Sequence, residues 1–177
     1  MSTPRPPAPA KLVVGLVMKE RSLIRPLTEI LVSRFGPLDM VSAWMRFDFT
    51  SYYAAEMGSP LFRRMLTFKE LIAQDRLPEI KTATNGIETG FAEAGRRRVN
   101  IDPGYLLLER FVLASGKNFT HRIYIGQGIY ADLTLLFTRG GFETLPWTYP
   151  DYADPGMTAH LHQIRRRYTL DLKATEP

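Results

Sequence analysis

The stretch His121–Asp151, HRIYIGQGIYADLTLLFTRGGFETLPWTYPD, restricts the fold more than any other part of the chain. Ile123, Ile125, Ile129, Ala131, Leu133, Leu135 and Phe137 alternate with Arg122, Tyr124, Tyr130, Asp132 and Thr134, the period of two that a half-buried strand requires. A three-residue turn at Gly126-Gln127-Gly128 puts Ile125 opposite Ile129, Tyr124 opposite Tyr130 and Arg122 opposite Asp132. No other short loop keeps both apolar sets on one side. The odd-numbered side is therefore expected to face the core and the even-numbered side to line an open pocket. Gly140-Gly141 supplies a second turn before Phe142–Leu145, and Pro146 stops that strand, so the segment reads as a three-stranded meander.

The remaining segments supply partners for this sheet. Leu12–Val17 is a continuous apolar run rich in β-branched residues, expected as a central strand covered on both faces. Ser22 is placed to cap a helix with Leu23, Leu27, Ile30, Leu31 and Phe35 on one stripe, closed by Gly36-Pro37. From Met40 to Phe49 apolar and polar residues alternate, a second strand with Asp48 near its end, and a short third strand falls around Arg64–Phe68. Leu77-Pro78 opens a helix that carries Ile80, Ala83, Thr84, Ile87 and Phe91 inward as far as Gly95. Val99–Asp102 is strand-like, Pro103-Gly104 suits the centre of a type II turn, and Leu106–Ala114 reads as strand or helix. Thr158–Tyr168, with Leu161, Ile164 and Tyr168 on one face, is a helix docked on the sheet. The expected fold is α+β: a mixed, largely antiparallel sheet with a β-meander in the C-terminal half and helices packed mainly on one face, with a βαβ start as one way to open it. Residues 1–10, with four prolines, read as a disordered tail and residues 11–177 as a single domain.

Composition narrows the chemistry. A chain of 177 residues with 45% hydrophobic and 23% charged residues buries enough surface to fold without staples. It contains no cysteine, which excludes disulfides, thiolate nucleophiles and iron–sulfur or zinc–cysteine sites. No apolar run approaches the ~20 residues of a membrane span, and the first ten residues lack the apolar region of a signal peptide, so a cytoplasmic protein without a membrane partner is expected. The formal charge of +5 favours anionic partners: a nucleotide, another phosphorylated small molecule, or RNA.

The usual phosphate fingerprints fail in detail. A P-loop ending at Gly116-Lys117 would need glycine where Phe111 stands, and Gly126-Gln127-Gly128 precedes an alternating strand where a dinucleotide fingerprint needs a helix. His160 and His162 are two apart and point to different sides of a helix, so no metal site is assigned, and no G-x-S-x-G elbow occurs. Asp48, Asp102 and Asp132 each lie on or at the end of an expected strand, and with His121 they are the candidate catalytic groups, as acid and base or as ligands of Mg²⁺, the one cofactor they suggest. Each also has a structural explanation. Asp48 begins a turn, Asp102 caps the Pro-Gly turn, Asp132 pairs with Arg122, and His121 shares parity with Ile123 as a buried histidine.

The polar side of the hairpin offers the stronger binding surface. Arg98, Lys117 and Arg122 are placed to neutralise phosphate and Tyr124 or Tyr130 to stack on a ring, with Asn100 and Tyr105 as further ligand-binding candidates. Two alternatives use other residues. An RNA-binding module would use Arg96–Arg98 and Arg165–Arg167, and an interaction scaffold would present Pro146-Trp147-Thr148-Tyr149-Pro150.

HRIYIGQGIYADLTL, followed by LPWTYPDY and preceded by RRVNIDPGYL and LASGKNFTHR, resembles a family of uncharacterised prokaryotic proteins catalogued as domain of unknown function forty-four-sixteen. PAKLVVGLV, FDFTSYYAAEMG and EIKTATNGIE look like the same family, so the resemblance covers nearly the whole chain after the tail. Some members carry a GTP-binding label, although this chain has neither a P-loop nor an N/T-K-x-D string for guanine selection. The resemblance picks out Asp48, Thr50, Tyr52, Lys81, Asn85, Glu88, Arg98, Asn100, Asp102, Tyr105, Lys117, His121, Arg122, Tyr124 and Asp132. These form a site if the fold gathers them at one mouth.

Overall fold

The computed structural model describes residues 2–50 and 52–175, and among them nine strands build one α+β sheet. β1 (Ala10–Met18) is buried along its whole length, as its unbroken apolar run requires, and lies between β4 (Leu61–Ile72) and β5 (Val99–Leu106). Beyond β5 follow β6 (Arg110–Ser115), β8 (Ile129–Thr138) and β7 (Arg122–Gly126). Every pairing is antiparallel; β4 inserts between β1 and β2 (Leu38–Val41), so these two run parallel to each other without pairing, a split form of the βαβ start.

Two long strands each carry two short ones end to end on their outer edge. β4 pairs with β2 through Leu66–Phe68 and with β3 (Met45–Phe47) through Leu61–Arg63. The single strand expected over residues 40–49 is thus broken at Ser42, whose N–H donates to the Met65 carbonyl and whose Oγ accepts from the Met65 N–H at 2.9 Å. The short third strand expected near Arg64 is the middle of β4. On the far side, β7 and β9 (Gly141–Thr144) share the edge of β8 opposite β6.

Four α-helices cover the sheet. α1 (Ile24–Phe35) ends where Gly36, at φ +88°, returns its N–H to the Val32 carbonyl, and Phe35 meets Phe68 edge-on. α2 (Ala54–Met57) is one turn, and α3 (Leu77–Gly90) packs beside α1, with Ile80 and Val32 lining one crevice. α4 (Pro155–Thr175) takes the opposite face, where Asp171 reaches Lys11 of β1 at 2.8 Å and Tyr168 donates to the Pro9 carbonyl. Two of the three long helices therefore share one face.

Further sequence expectations change. Pro103-Gly104 does not turn the chain but lies inside β5. Gly104 is required there because a Cβ would sit 2.3 Å from the Val112 carbonyl oxygen. Leu106–Ala114 is a hairpin, closed by the Leu107 N–H on the Arg110 carbonyl. In the hairpin Tyr124 faces Tyr130 and Arg122 faces Asp132 as expected, but Ile129 pairs with Gly126 and the extra residue, Ile125, forms a bulge. Its two faces are both partly covered: Ile129 and Leu135 are buried as expected, but so are Arg122, Asp132 and Thr134, while Ile123 is 71% exposed. The loop 145–152 covers the even-numbered side, its Trp147 indole donating to the Leu133 carbonyl and Thr148 to that of Thr134.

Candidate functional site

The site begins where the sheet forks. β5 pairs with β6 only from Gly104 to Leu106, so residues 99–103 have a neighbour strand on one edge alone. Backbone groups left open there must find other partners. α3 supplies them: Glu88 Oε1 accepts from the Ile101 N–H at 2.6 Å and Lys81 Nζ donates to the Ile101 carbonyl at 2.8 Å. Lys81 and Glu88 are seven residues apart, two turns, so both project from the same side of the helix. Pro103, two residues beyond Ile101, turns its missing N–H to this same edge, which explains proline inside the strand.

From the fork a buried charge network spreads over the face that α4 also covers. Lys81 lies 3.8 Å from Asp102, which accepts from Asn100 Nδ2 at 2.6 Å and stands 3.7 Å from Arg63. Arg97 donates to Asn100 Oδ1 at 2.7 Å and lies near Glu88 and Glu56. Arg63 is paired with Asp151 and rests on the rings of Phe47 and Tyr152. Burial, the largest influence on each, pushes the phenols of Tyr53 and Tyr152 well above the ordinary range and raises the Glu88 carboxyl despite Lys81 and Arg97 beside it.

A second cluster centres on Arg122. Its guanidinium donates to Asp132 Oδ2 at 2.8 Å, to Ser115 Oγ and the Lys117 carbonyl, and to the Tyr149 hydroxyl at 2.6 Å. His121 Nε2 lies 3.4 Å from Asp132, and the imidazole is stacked on Trp147 at 4.9 Å. Leu113 pairs with both Gly104 and Asp132, so Asp132 stands two strand spacings, roughly 10 Å, from β5. Tyr149 joins the clusters: its hydroxyl holds Arg122, and its phenol acts electrostatically on Tyr53 and Tyr152. At the rim Lys117 reaches across to the other loop, donating to the Tyr52 hydroxyl at 3.1 Å with its ammonium 4.6 Å from that ring.

Of the residues expected from sequence, Asn100, Asp102, Lys117, His121, Arg122 and Asp132 come together on this face. Tyr124 and Tyr130 pair edge-on at its outer end, 5.3 Å apart. Arg98 lies apart, held by Glu20 and Glu93. Asp48 is exposed and pairs with Arg46. Tyr105 is buried in the core on the side opposite, since it pairs with Leu12, not with Val13 or Gly15. The arginine runs are mostly engaged too, Arg97 and Arg98 with carboxylates, Arg165 with the Leu108 carbonyl and the Phe137 ring, Arg167 with Asp39 and Asp171. Trp147 is tied down by its indole hydrogen bond. Among the described residues no three His, Asp or Glu side chains converge as metal ligands. The cations Lys81 and Arg63 beside Asp102 oppose a divalent ion, so the set does not fit Mg²⁺.

Sequence reasoning missed Arg63, Tyr53 and Asp151. One signal for Arg63 was present: in Leu61-x-Arg63-x-Met65-x-Thr67 it holds an inward position of an alternating strand, where an unpaired charge is untenable.

Residues 8–168, which include every member of both clusters, match the family model described as Domain of unknown function (DUF4416). The chain belongs to this family. No curated protein and no solved structure matches the chain. No helix among the described residues is long and apolar enough to cross a membrane.

Proposed function

We propose that the protein binds a phosphate-bearing small molecule with a planar ring, nucleotide-like, over the fork between β5 and β6. Lys117 is the observation that carries this reading: it is a rim cation with no carboxylate partner among the described residues, held only by Tyr52. Arg63, Lys81, Arg97 and Arg122 on the same face all have acidic partners, so Lys117 is the charge that a phosphate meets first. The exposed rings of Tyr52, Phe119 and Tyr149 stand around it as stacking surfaces. Asp102, less buried than Asn100 or Lys81, is the acceptor for a sugar hydroxyl. Arg122 acts here by positioning Tyr149 and the Lys117 backbone, not by touching phosphate. The engaged arginines favour this reading over an RNA surface.

The test is thermal unfolding with a panel of nucleotides, guanine nucleotides included, with and without Mg²⁺. A ligand at a hundred times its dissociation constant adds about 2.7 kcal/mol. The expected result is stabilisation by a nucleotide, none by the corresponding nucleoside, and loss of the effect in Lys117→Ala. Absence of stabilisation by every nucleotide overturns the reading.

A further inference from the structure

A cavity of about 260 Å³ lies between β3 and the start of α4, bounded by Arg46, Arg63, Asp151 and Asp154 and walled by Met45, Phe49 and Met157. We propose that it binds a small zwitterion with an apolar side chain, an α-amino acid in chemical class, independently of the ligand at the fork.

The donors come from two arginines of different standing. The Arg63 side chain is 4% exposed, and although Asp151 and Asp102 pair with its terminal nitrogens, Nε has no hydrogen-bond partner among the described residues. A buried guanidinium with an N–H left without an acceptor is under-satisfied, and Arg63 lies in the cavity wall, where a carboxylate adds negative charge beside it. Arg46 is largely exposed, and its pairing with the equally exposed Asp48 at 3.3 Å is weak enough to be exchanged for a ligand.

The acceptors also have capacity left. Asp151 faces Arg63 through Oδ2, and Asp154 Oδ1 caps α4 by accepting from the N–H groups of Gly156 and Met157 at 2.8 and 3.2 Å. Asp151 Oδ1 and Asp154 Oδ2 receive no hydrogen bond from any described residue, and they suit an ammonium group. The four charged side chains of the lining, two guanidiniums and two carboxylates, cancel and so match a zwitterion's own balance, while Asp48 and Asp102 pair with the same arginines from outside the lining. A bare amine or a bare acid leaves one pair unmatched. The volume is below the ~300–1,000 Å³ of sites for drug-sized ligands, which limits the occupant to amino-acid size.

The test uses the full chain labelled at the methionine methyls and titrated with leucine, leucinamide and 4-methylpentanoate. Leucine should shift the Met45 and Met157 signals at millimolar concentration, with leucinamide and 4-methylpentanoate at least about tenfold weaker. Arg46→Ala and Asp154→Asn, the latter retaining the helix cap, should each weaken leucine by about tenfold. Silence of both methyls with leucine overturns the proposal. So does equal binding of leucinamide, which identifies a simple amine site, or leucine binding unaltered in both variants. None of these outcomes depends on whether a nucleotide binds at Lys117.

Discussion

The ammonium nitrogen of Lys81 lies 2.8 Å from the carbonyl oxygen of Ile101, and that contact lets β5 part from β6 without leaving its edge unsatisfied. Lys81→Met should therefore orphan the Ile101 carbonyl and remove a cation from Asp102, costing about 2–4 kcal/mol. Urea unfolding measures this. A loss below about 1 kcal/mol would mean that water or another donor replaces Lys81 without difficulty.

Glu88 holds the matching N–H, and burial raises its carboxyl pKa in the folded protein. A raised acid binds its proton more tightly when folded, so its contribution to stability is fully present below the unfolded value and is lost as pH rises through the folded one. Glu88→Gln keeps an acceptor for the Ile101 N–H but does not titrate. The stability of the native protein relative to Glu88→Gln should accordingly fall between about pH 4, where an unfolded glutamate ionises, and the higher pH at which Glu88 does. A difference that stays flat across this window, measured by unfolding at several pH values, would show that Glu88 is not perturbed.

Gly104→Ala tests the close approach of β5 to β6. With the Val112 carbonyl oxygen 2.3 Å from the new methyl, and backbone on both sides, the hairpin must open. A destabilisation of about 2–4 kcal/mol is expected, with Gly86→Ala, inside α3 where nothing lies within 4 Å, as the control that instead stabilises by up to about 1 kcal/mol.

Lys11 is fully buried in β1, with Asp39 at 2.5 Å and Asp171 of α4 at 2.8 Å, and Arg167 completes the group. Lys11→Met should cost about 3–5 kcal/mol, because two carboxylates lose their central cation. Replacing Asp39 and Asp171 with asparagine in the same protein should restore most of that loss. If thermal unfolding shows no recovery, packing of the lysine stem and not its charge holds α4 to the sheet.

Much of this architecture is legible in local residue order. The unbroken run Leu12–Val17 announces a strand covered on both faces, because nothing in it is compatible with water. The turn glycines at 126 and 128 bring Tyr124 to Tyr130 and Arg122 to Asp132 because hairpin register follows from loop length. The fork was hidden by Pro103-Gly104, a pair that reads locally as a turn. Its place inside a strand depends on Glu88 and Lys81 of α3, 13 and 20 residues earlier, satisfying the neighbouring Ile101, contacts that a local turn rule does not see.

The sequence by itself determined the α+β class, the buried central strand, and that Arg122 and Tyr124 of the hairpin face Asp132 and Tyr130. Alternation specifies that two sides differ, but not which one another element will cover. Only the tertiary structure decided that the loop 145–152 buries Arg122 and Asp132 while Ile123 stays in solvent, and that Arg63 meets Asp151. Those pairings join segments tens of residues apart, and the mutual attraction that offsets the cost of taking these charges out of water exists only once the chain has closed around them.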